Sequence, residues 1–351
     1  MKLRHVALPL AILLALAGCS SGNSGGGSDN KGGDNDYANV EGLTDLIKAA
    51  QEEGEFTLYY NPDPKIVEPV VEAFGKEFGI KAESVRLSSG DFMARYQAEA
   101  EAKANVADAI ILTTAVSGFW EEMVKSNYLT PVKDADIPQF PEGIDKLWLR
   151  DDLGTAIVTL NPNGIAFNTD SLTAKEAPKS WKDLADPKWA GQVALTDPRV
   201  SNSFLDFFYM IQQKYGDDVV KGIGKNAYRY VPSAIPLGQL VGAGEAQVGA
   251  MTNGGAVGSQ ASSGLPLDIN IPDYTNGVEQ GLGINANAPN PNAARLFAWY
   301  VWYGHGKDML IETPLTTYIS QSDSLPREYT RMEEGVAEPH KAEILALLGI
   351  D

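Results

Sequence analysis

Short polar clusters stand where strand-like runs end in this chain: Tyr60-Asn61, Ser88-Ser89, Thr113-Thr114, Thr196-Asp197-Pro198-Arg199 and Thr252-Asn253-Gly254-Gly255. Ser, Thr and Asn side chains are neutral donors and acceptors. At a helix start they sit beside unbonded backbone N–H groups and the positive end of the helix dipole, which favours an anion. Ser88-Ser89-Gly90 and Ser201-Asn202-Ser203 are two such starts, and Arg199 adds a full positive charge with a fork suited to carboxylate or phosphate. Taken singly, each is equally an ordinary N-cap, and Arg199 a surface residue. Taken together at strand ends they make a candidate solute site of Tyr60, Asn61, Ser88, Ser89, Thr113, Thr114, Arg199, Ser201, Ser203, Asn253, Gly254 and Tyr274. Asp63, Asp197 and Asp273 supply acceptors for an amino group. The favoured ligand is a small organic anion or zwitterion with a phosphate, phosphonate or carboxylate head.

Other chemistries are poorly served. Ferric iron needs phenolate, carboxylate or imidazole ligands. Tyr59 and Tyr60 are adjacent in one strand, so alternation sends them to opposite faces and both cannot reach one metal. The histidines are His5, His305 and His340, with no H-E-x-x-H. Gly22-Asn23-Ser24-Gly25-Gly26 matches G-x-S-x-G in letters only, because a Gly/Ser stretch supplies neither the strand nor the helix that motif needs. A Ser–His pair with His305 or His340 is conceivable, but nothing marks the serine. No enzymatic activity, catalytic residue, resident metal or cofactor is expected.

The elements that must hold these clusters follow an α/β pattern. Glu55 to Tyr60 reads as a strand. Pro64 to Phe78 follows as a helix, with Ile66, Val67, Val70, Val71, Phe74 and Phe78 at helical spacing and Gly79 as its stop. Ile80 to Leu87 alternates like a strand, and a helix opens at Ser88-Ser89-Gly90 with Ser89 as N-cap. Ala107 to Leu112 is a buried-strand run, followed by a helix carrying Phe119, Trp120 and Met123. Three strand-then-helix units imply a parallel sheet, in which ligands sit at the carboxyl ends of strands. Farther on, Thr155 to Asn168 is one long extended segment that Gly164 lets bend. Pro178 to Trp189 reads as a short helical region with turns, Val193 to Leu195 and Ala246 to Met251 as strands, and Asn292 to Tyr303 and Ile344 to Leu348 as helices. Phe204, Phe207, Phe208 and Tyr209 crowd one helix at a spacing that reads as core rather than a stacking site.

The 351 residues are 44% hydrophobic, with six Trp and fourteen Tyr, enough to bury cores in two domains. A net charge of −18 argues against nucleic-acid partners and against adhesion of the body to anionic lipid. Lys2 and Arg4, the apolar run Val6 to Ala17 and the small residues after it read as a secretory signal. Leu16-Ala17-Gly18-Cys19 resembles the bacterial lipoprotein lipobox, which implies that Cys19, the sole cysteine, is lipidated and anchors the protein to a membrane. Ser20 to Asp36 reads as a flexible tether.

Ordered fragments across the rest of the chain resemble one family. They are Phe78-Gly79-Ile80-Lys81, Arg86-Leu87-Ser88-Ser89-Gly90, Ala107-Asp108-Ala109, Phe167-Asn168-Thr169, Pro178-Lys179-Ser180-Trp181-Lys182-Asp183-Leu184, Asp186-Pro187-Lys188-Trp189-Ala190-Gly191 and Asn290-Pro291-Asn292-Ala293-Ala294-Arg295-Leu296-Phe297. The series is similar to the extracellular solute-binding proteins of bacterial ABC importers, in the ferric-iron, polyamine, thiamine and phosphonate branch. The resemblance implies an α/β, two-lobed periplasmic-binding-protein-like fold of type II, with a hinge of crossing strands and a solute clamped between the lobes. It implies a signal peptide over 1–18, lipidated Cys19 and linker over 19–39, lobe one over 40–164 and 268–303, and lobe two over 165–267 and 304–351. Its expected partners are a small solute, a permease and ATPase, and a membrane through Cys19, with no nucleic acid. A monomer exported to the cell envelope is expected. Ferric members of that branch commonly carry a tyrosine pair just after the strand that here ends at Met251, where this sequence has Thr252-Asn253-Gly254-Gly255. Ferric iron therefore stands as the alternative ligand rather than the favoured one.

Overall fold

A computed structural model describes residues 37–116, 118–311, 325–331 and 335–350. The leader, Cys19 and linker positions 19–36 lie outside the described residues. The last expected linker residues, Tyr37–Asn39, instead form a 3-10 turn whose Tyr37 ring lies 5.3 Å from Trp299 and 5.9 Å from Phe78.

α1 (Leu43–Glu53) leads into β1 (Glu55–Tyr60), α2 (Pro64–Phe78), β2 (Lys81–Arg86), α3 (Ser89–Glu101), β3 (Ala109–Thr113) and α4 (Phe119–Lys125). α2 has its expected bounds. Asp63 accepts from the Lys65 N–H at 2.9 Å, Pro64 occupies the first turn where no N–H is needed, and Gly79 stops the helix at φ 67°. β1 pairs in parallel with both β2 and β3, as strand–helix–strand units require. The two-residue strands β4 (Leu129–Thr130) and β5 (Leu149–Arg150) precede β6 (Thr155–Asn168). Then come β7 (Val193–Thr196), α5 (Asn202–Tyr215), α6 (Asp217–Asn226), β8 (Ala227–Val231), α7 (Ala234–Gly242), β9 (Val248–Asn253) and α8 (Gly254–Ser262). The chain closes with β10 (Leu267–Asn270), β11 (Tyr274–Thr275), β12 (Gly277–Asn285), α9 (Pro291–Trp302), α10 (His305–Ile311), β13 (Glu328–Tyr329) and α11 (Lys341–Leu348).

The principal sheet runs β2-β1-β3-β12-β6-β9-β7-β8. β6 belongs to both halves: Ala156 to Pro162 pairs with β12, whereas Asn163 to Phe167 pairs with β9 and Ile165 to Asn168 with β10. β12 brings the chain back antiparallel to β3 and β6. The fold is the two-lobed, type II mixed α/β arrangement that the family resemblance implies.

Each half of the sheet is packed on both faces. In lobe one, Phe56 stacks on Phe297 with Phe74 edge-on to both on one face, and Tyr59, Phe92 and Trp120 fill the other. In lobe two, Phe167, Trp181, Phe207 and Phe208 lie on one face and Leu237, Val241 and Val257 on the other. Burying each such side chain contributes about 1.5–3 kcal/mol. The C-terminal path differs from the expectation that 304–351 lies in lobe two. α10 packs on α9 and α2, and Leu310 is part of the lobe-one core, because its apolar face completes the α2–α9 layer. Ile344 and Leu348 of α11 do enter the lobe-two core. Among the described residues no helix is long and apolar enough to cross a membrane.

At Gly164 the β6–β9 register shifts, and a Cβ there would stand 2.7 Å from the Asn270 carbonyl oxygen. Gly164→Val is therefore expected to cost about 2 kcal/mol, seen as a lower urea midpoint at unchanged slope. An unchanged midpoint would mean that the crossing relaxes around the side chain.

Candidate functional site

A cavity of about 260 Å³ lies where the ends of β3 and β9 meet the start of β12. Lobe one contributes Thr113 and Ala115, the residues at which β3 gives way to its connection. Thr113 Oγ1 accepts from the Ala115 N–H at 3.3 Å, which holds this turn. Asn163 of β6, at the crossing, also lines the cavity.

Lobe two brings three helix starts to the same space. α5 contributes Ser201, its N-cap, with Ser203 and Phe204, and Ser201 makes no side-chain capping bond. α7 contributes Ala234, and its N-cap Ser233 likewise makes none. α8 contributes Asn253, whose Oδ1 accepts from the Ala256 N–H at 3.0 Å. The first N–H groups of any helix lack intrahelical partners, and three dipoles place partial positive charge on one cavity. Its lining residues carry no charged side chain.

Two features of β9 sharpen the site. Met251 holds φ at 63°, a left-handed conformation that costs a non-glycine residue on the order of 1 kcal/mol. Next to it, Thr252 is 1% exposed, and its Oγ1 has no hydrogen-bond partner among the described residues. An unpaired buried hydroxyl costs about 1–3 kcal/mol, which a ligand able to hydrogen-bond it would recover.

Residues 104–262, which include all of this lining except Gly277 and Val278, match the family described as bacterial extracellular solute-binding protein. That segment is similar to the bacterial extracellular solute-binding proteins. The chain is 24% identical over 272 residues to an uncharacterized protein of Haemophilus influenzae, covering 74% of this chain and 76% of that one. Its fold is similar to that of a substrate-binding protein of an ABC transporter from Agrobacterium tumefaciens, with TM-score 0.64, 16% identity and coverage of 85% and 96%. It is also similar to a Trichodesmium protein (IdiA, FutA), with TM-score 0.63, 16% identity and coverage of 85% and 100%. The periplasmic binding protein AfuA of Actinobacillus pleuropneumoniae aligns with TM-score 0.54, 20% identity and coverage of 84% and 96%. The family matched over 104–262 is one of solute-binding proteins, and the fold is shared with these substrate-binding proteins.

Of the residues singled out in the sequence, Thr113, Ser201, Ser203 and Asn253 share the cavity. Gly254 is buried as the first residue of α8. The others sit elsewhere. Tyr60 is fully buried in the lobe-one core, donating to Glu68 Oε1 at 2.7 Å, and burial pushes its phenol pKa up. Tyr59 faces the opposite core, as strand alternation demands, and burial with the Glu99 bond raises it to about 12. Asn61 donates to the Leu87 carbonyl at 3.2 Å. Ser88 caps α3, its hydroxyl donating to Asp91 Oδ2 at 2.6 Å, and Ser89 is the first residue of that helix. Thr114 turns toward Glu279, its N–H bonding the Glu279 carbonyl at 3.0 Å. Tyr274 lines a separate cavity with Asp206 and Arg331.

Arg199 does not line this cavity. Its Nε and Nη2 donate to the two Asp197 oxygens at 3.0 and 2.9 Å, holding the Asp197 carboxyl below its usual range. The aromatic run on α5 also divides. Phe207 and Phe208 are core, but half-buried Phe204 lines the cavity and Tyr209 stacks on His340 at 4.6 Å. The sequence reading missed Asn163, Ala234 and the unpaired Thr252 hydroxyl as site residues. Ala234 carried a local signal, the N-cap Ser233 before it, and Thr252 stood in the strand-end cluster already singled out.

Proposed function

We propose that this protein is the periplasmic substrate-binding component of an ABC importer and captures a small organic anion or zwitterion through its phosphate, phosphonate or carboxylate head. The observation that carries this reading is the convergence of the α5, α7 and α8 starts with the unpaired Thr252 hydroxyl on one uncharged cavity. Such a site neutralises an anion with dipoles and hydrogen bonds rather than with a counter-charge. The fold does not choose the ligand. The similar Trichodesmium structure is a complex with iron and citrate, and AfuA holds fructose-6-phosphate. Hydroxyl, amide and backbone N–H donors suit an oxyanion better than the hard anionic ligand set that ferric iron requires. Delivery to a permease and ATPase, a lipid anchor at Cys19 and a monomeric state complete the proposal.

Calorimetric and thermal-shift titration with inorganic phosphate, methylphosphonate, spermidine and ferric citrate tests it. An anion at 100 times its Kd is expected to stabilise the protein by about 2.7 kcal/mol. Stabilisation by ferric citrate with a visible tyrosinate-to-iron band, or by spermidine alone, would overturn it.

A further inference from the structure

A second cavity, of about 240 Å³, adjoins the first and shares Asn253 and Val278 with it. Its lobe-one wall is apolar, built from Ile66, Val67 and Val70 of α2 and Phe297 and Val301 of α9. Its lobe-two wall is the small-residue face of α8, where Ala256 and Ser259 leave the space open. Asp63, the cap of α2, is the one charged side chain on its lining. Gln280, 7% exposed, also lines it, and its Oε1 has no hydrogen-bond partner among the described residues.

We infer that this cavity receives an apolar body joined to the anionic head, so that the captured solute is an amphiphilic anion, an alkyl or aryl phosphonate, phosphate ester or carboxylate, rather than a bare oxyanion. The inference rests on the anionic-head reading. The shared residues let one molecule occupy both spaces. An apolar cavity of about 150 Å³ is enough to hold benzene, so this one takes a ring or a short chain. The charges orient the ligand: Asp63 repels an anion, and the helix starts of the first cavity attract one. Gln280 Oε1 adds an acceptor that selects a body bearing one hydrogen-bond donor.

Titration calorimetry with methylphosphonate, butylphosphonate and phenylphosphonate tests this on the unaltered protein. Each methylene moved from water into the cavity is worth about fourfold in affinity, so butylphosphonate should bind at least ten times more tightly than methylphosphonate. Ser259→Phe, which fills the cavity from α8, should bring the butyl-to-methyl ratio close to one. Equal affinity for the three probes on the unaltered protein would overturn the apolar subsite and leave the anionic head standing. A ratio unaffected by a folded Ser259→Phe would place the body elsewhere. Failure of every phosphonate to bind would overturn both readings.

Discussion

Ser203→Asp is expected to weaken binding of methylphosphonate at least 100-fold. Ser203 lies in the first turn of α5 and lines the uncharged cavity into which the helix starts project their partial positive charge. A carboxylate about 5 Å from a bound anion repels it by roughly 3 kcal/mol at an effective dielectric of about 20, which is more than two decades in Kd. The fold should survive, since an acidic residue is favourable in the first turn of a helix, and an unchanged circular dichroism melt would verify it. Arg199→Ala makes the informative comparison. Because its fork is taken up by Asp197, the change is expected to move affinity less than about twofold, where the sequence alone puts Arg199 on the ligand. A tenfold loss on Arg199→Ala with normal binding by Ser203→Asp would move the anion out of the helix-start cavity and onto the Arg199 side chain.

Glu279→Ala should be the most destabilising of these changes, by about 3 kcal/mol. Glu279 lies on β12, and its side chain is 4% exposed. Its Oε2 pairs with Arg150 Nη1 at 3.2 Å, and its Oε1 accepts from Tyr329 Oη at 2.9 Å and lies 3.5 Å from Arg331 Nε. The carboxylate thus ties the β5 segment, β12 and the C-terminal stretch together immediately behind Thr114. Removing one member of a buried ion pair leaves its partners desolvated and uncompensated, which costs several kcal/mol. Glu279→Gln keeps acceptor and shape and should lose roughly half as much. Urea unfolding at neutral pH measures both. A loss under about 1 kcal/mol for the alanine variant would mean that Asp152, already 2.7 Å from Arg150, compensates the arginine unaided.

The candidate site was legible in the sequence to the extent that it depends on local chain geometry. Thr113, Ser201, Ser203 and Asn253 could be named because the end of a parallel strand and the N-terminus of the next helix are encoded within a few residues. Polar cap residues stand there for reasons of backbone hydrogen bonding. The same local logic set the bounds of α2 and the full span of β6, whose apolar runs are long and whose stop signals are unambiguous. Residues whose role depends on a distant partner were not legible. Arg199 has the chemistry of an anion clamp, but a carboxylate two residues away satisfies it first. Tyr60 stands at the end of a strand, yet its ring turns into the core toward Glu68.

By itself, then, the sequence determined the alternation of strands and helices and the polar character of the strand ends, because these follow from periodicity and capping over short spans, whereas the two-lobed class came only with the family resemblance. The tertiary structure alone decided which of those ends meet. In β12, Val278, Leu282 and Ile284 alternate, but Gly277, Gly281 and Gly283 weaken that strand signal, and these glycines stand where neighbouring elements approach too closely for side chains. A Cβ at Gly277 would lie 2.5 Å from the Asn161 carbonyl oxygen, and one at Gly283 would lie 2.9 Å from Ile110 and Trp120. That close packing sets β12 between β3 and β6, and β6 then carries β9 alongside. In this way Thr113 of one lobe comes to face the helix starts of the other, a long-range outcome of sheet order that no local pattern encodes.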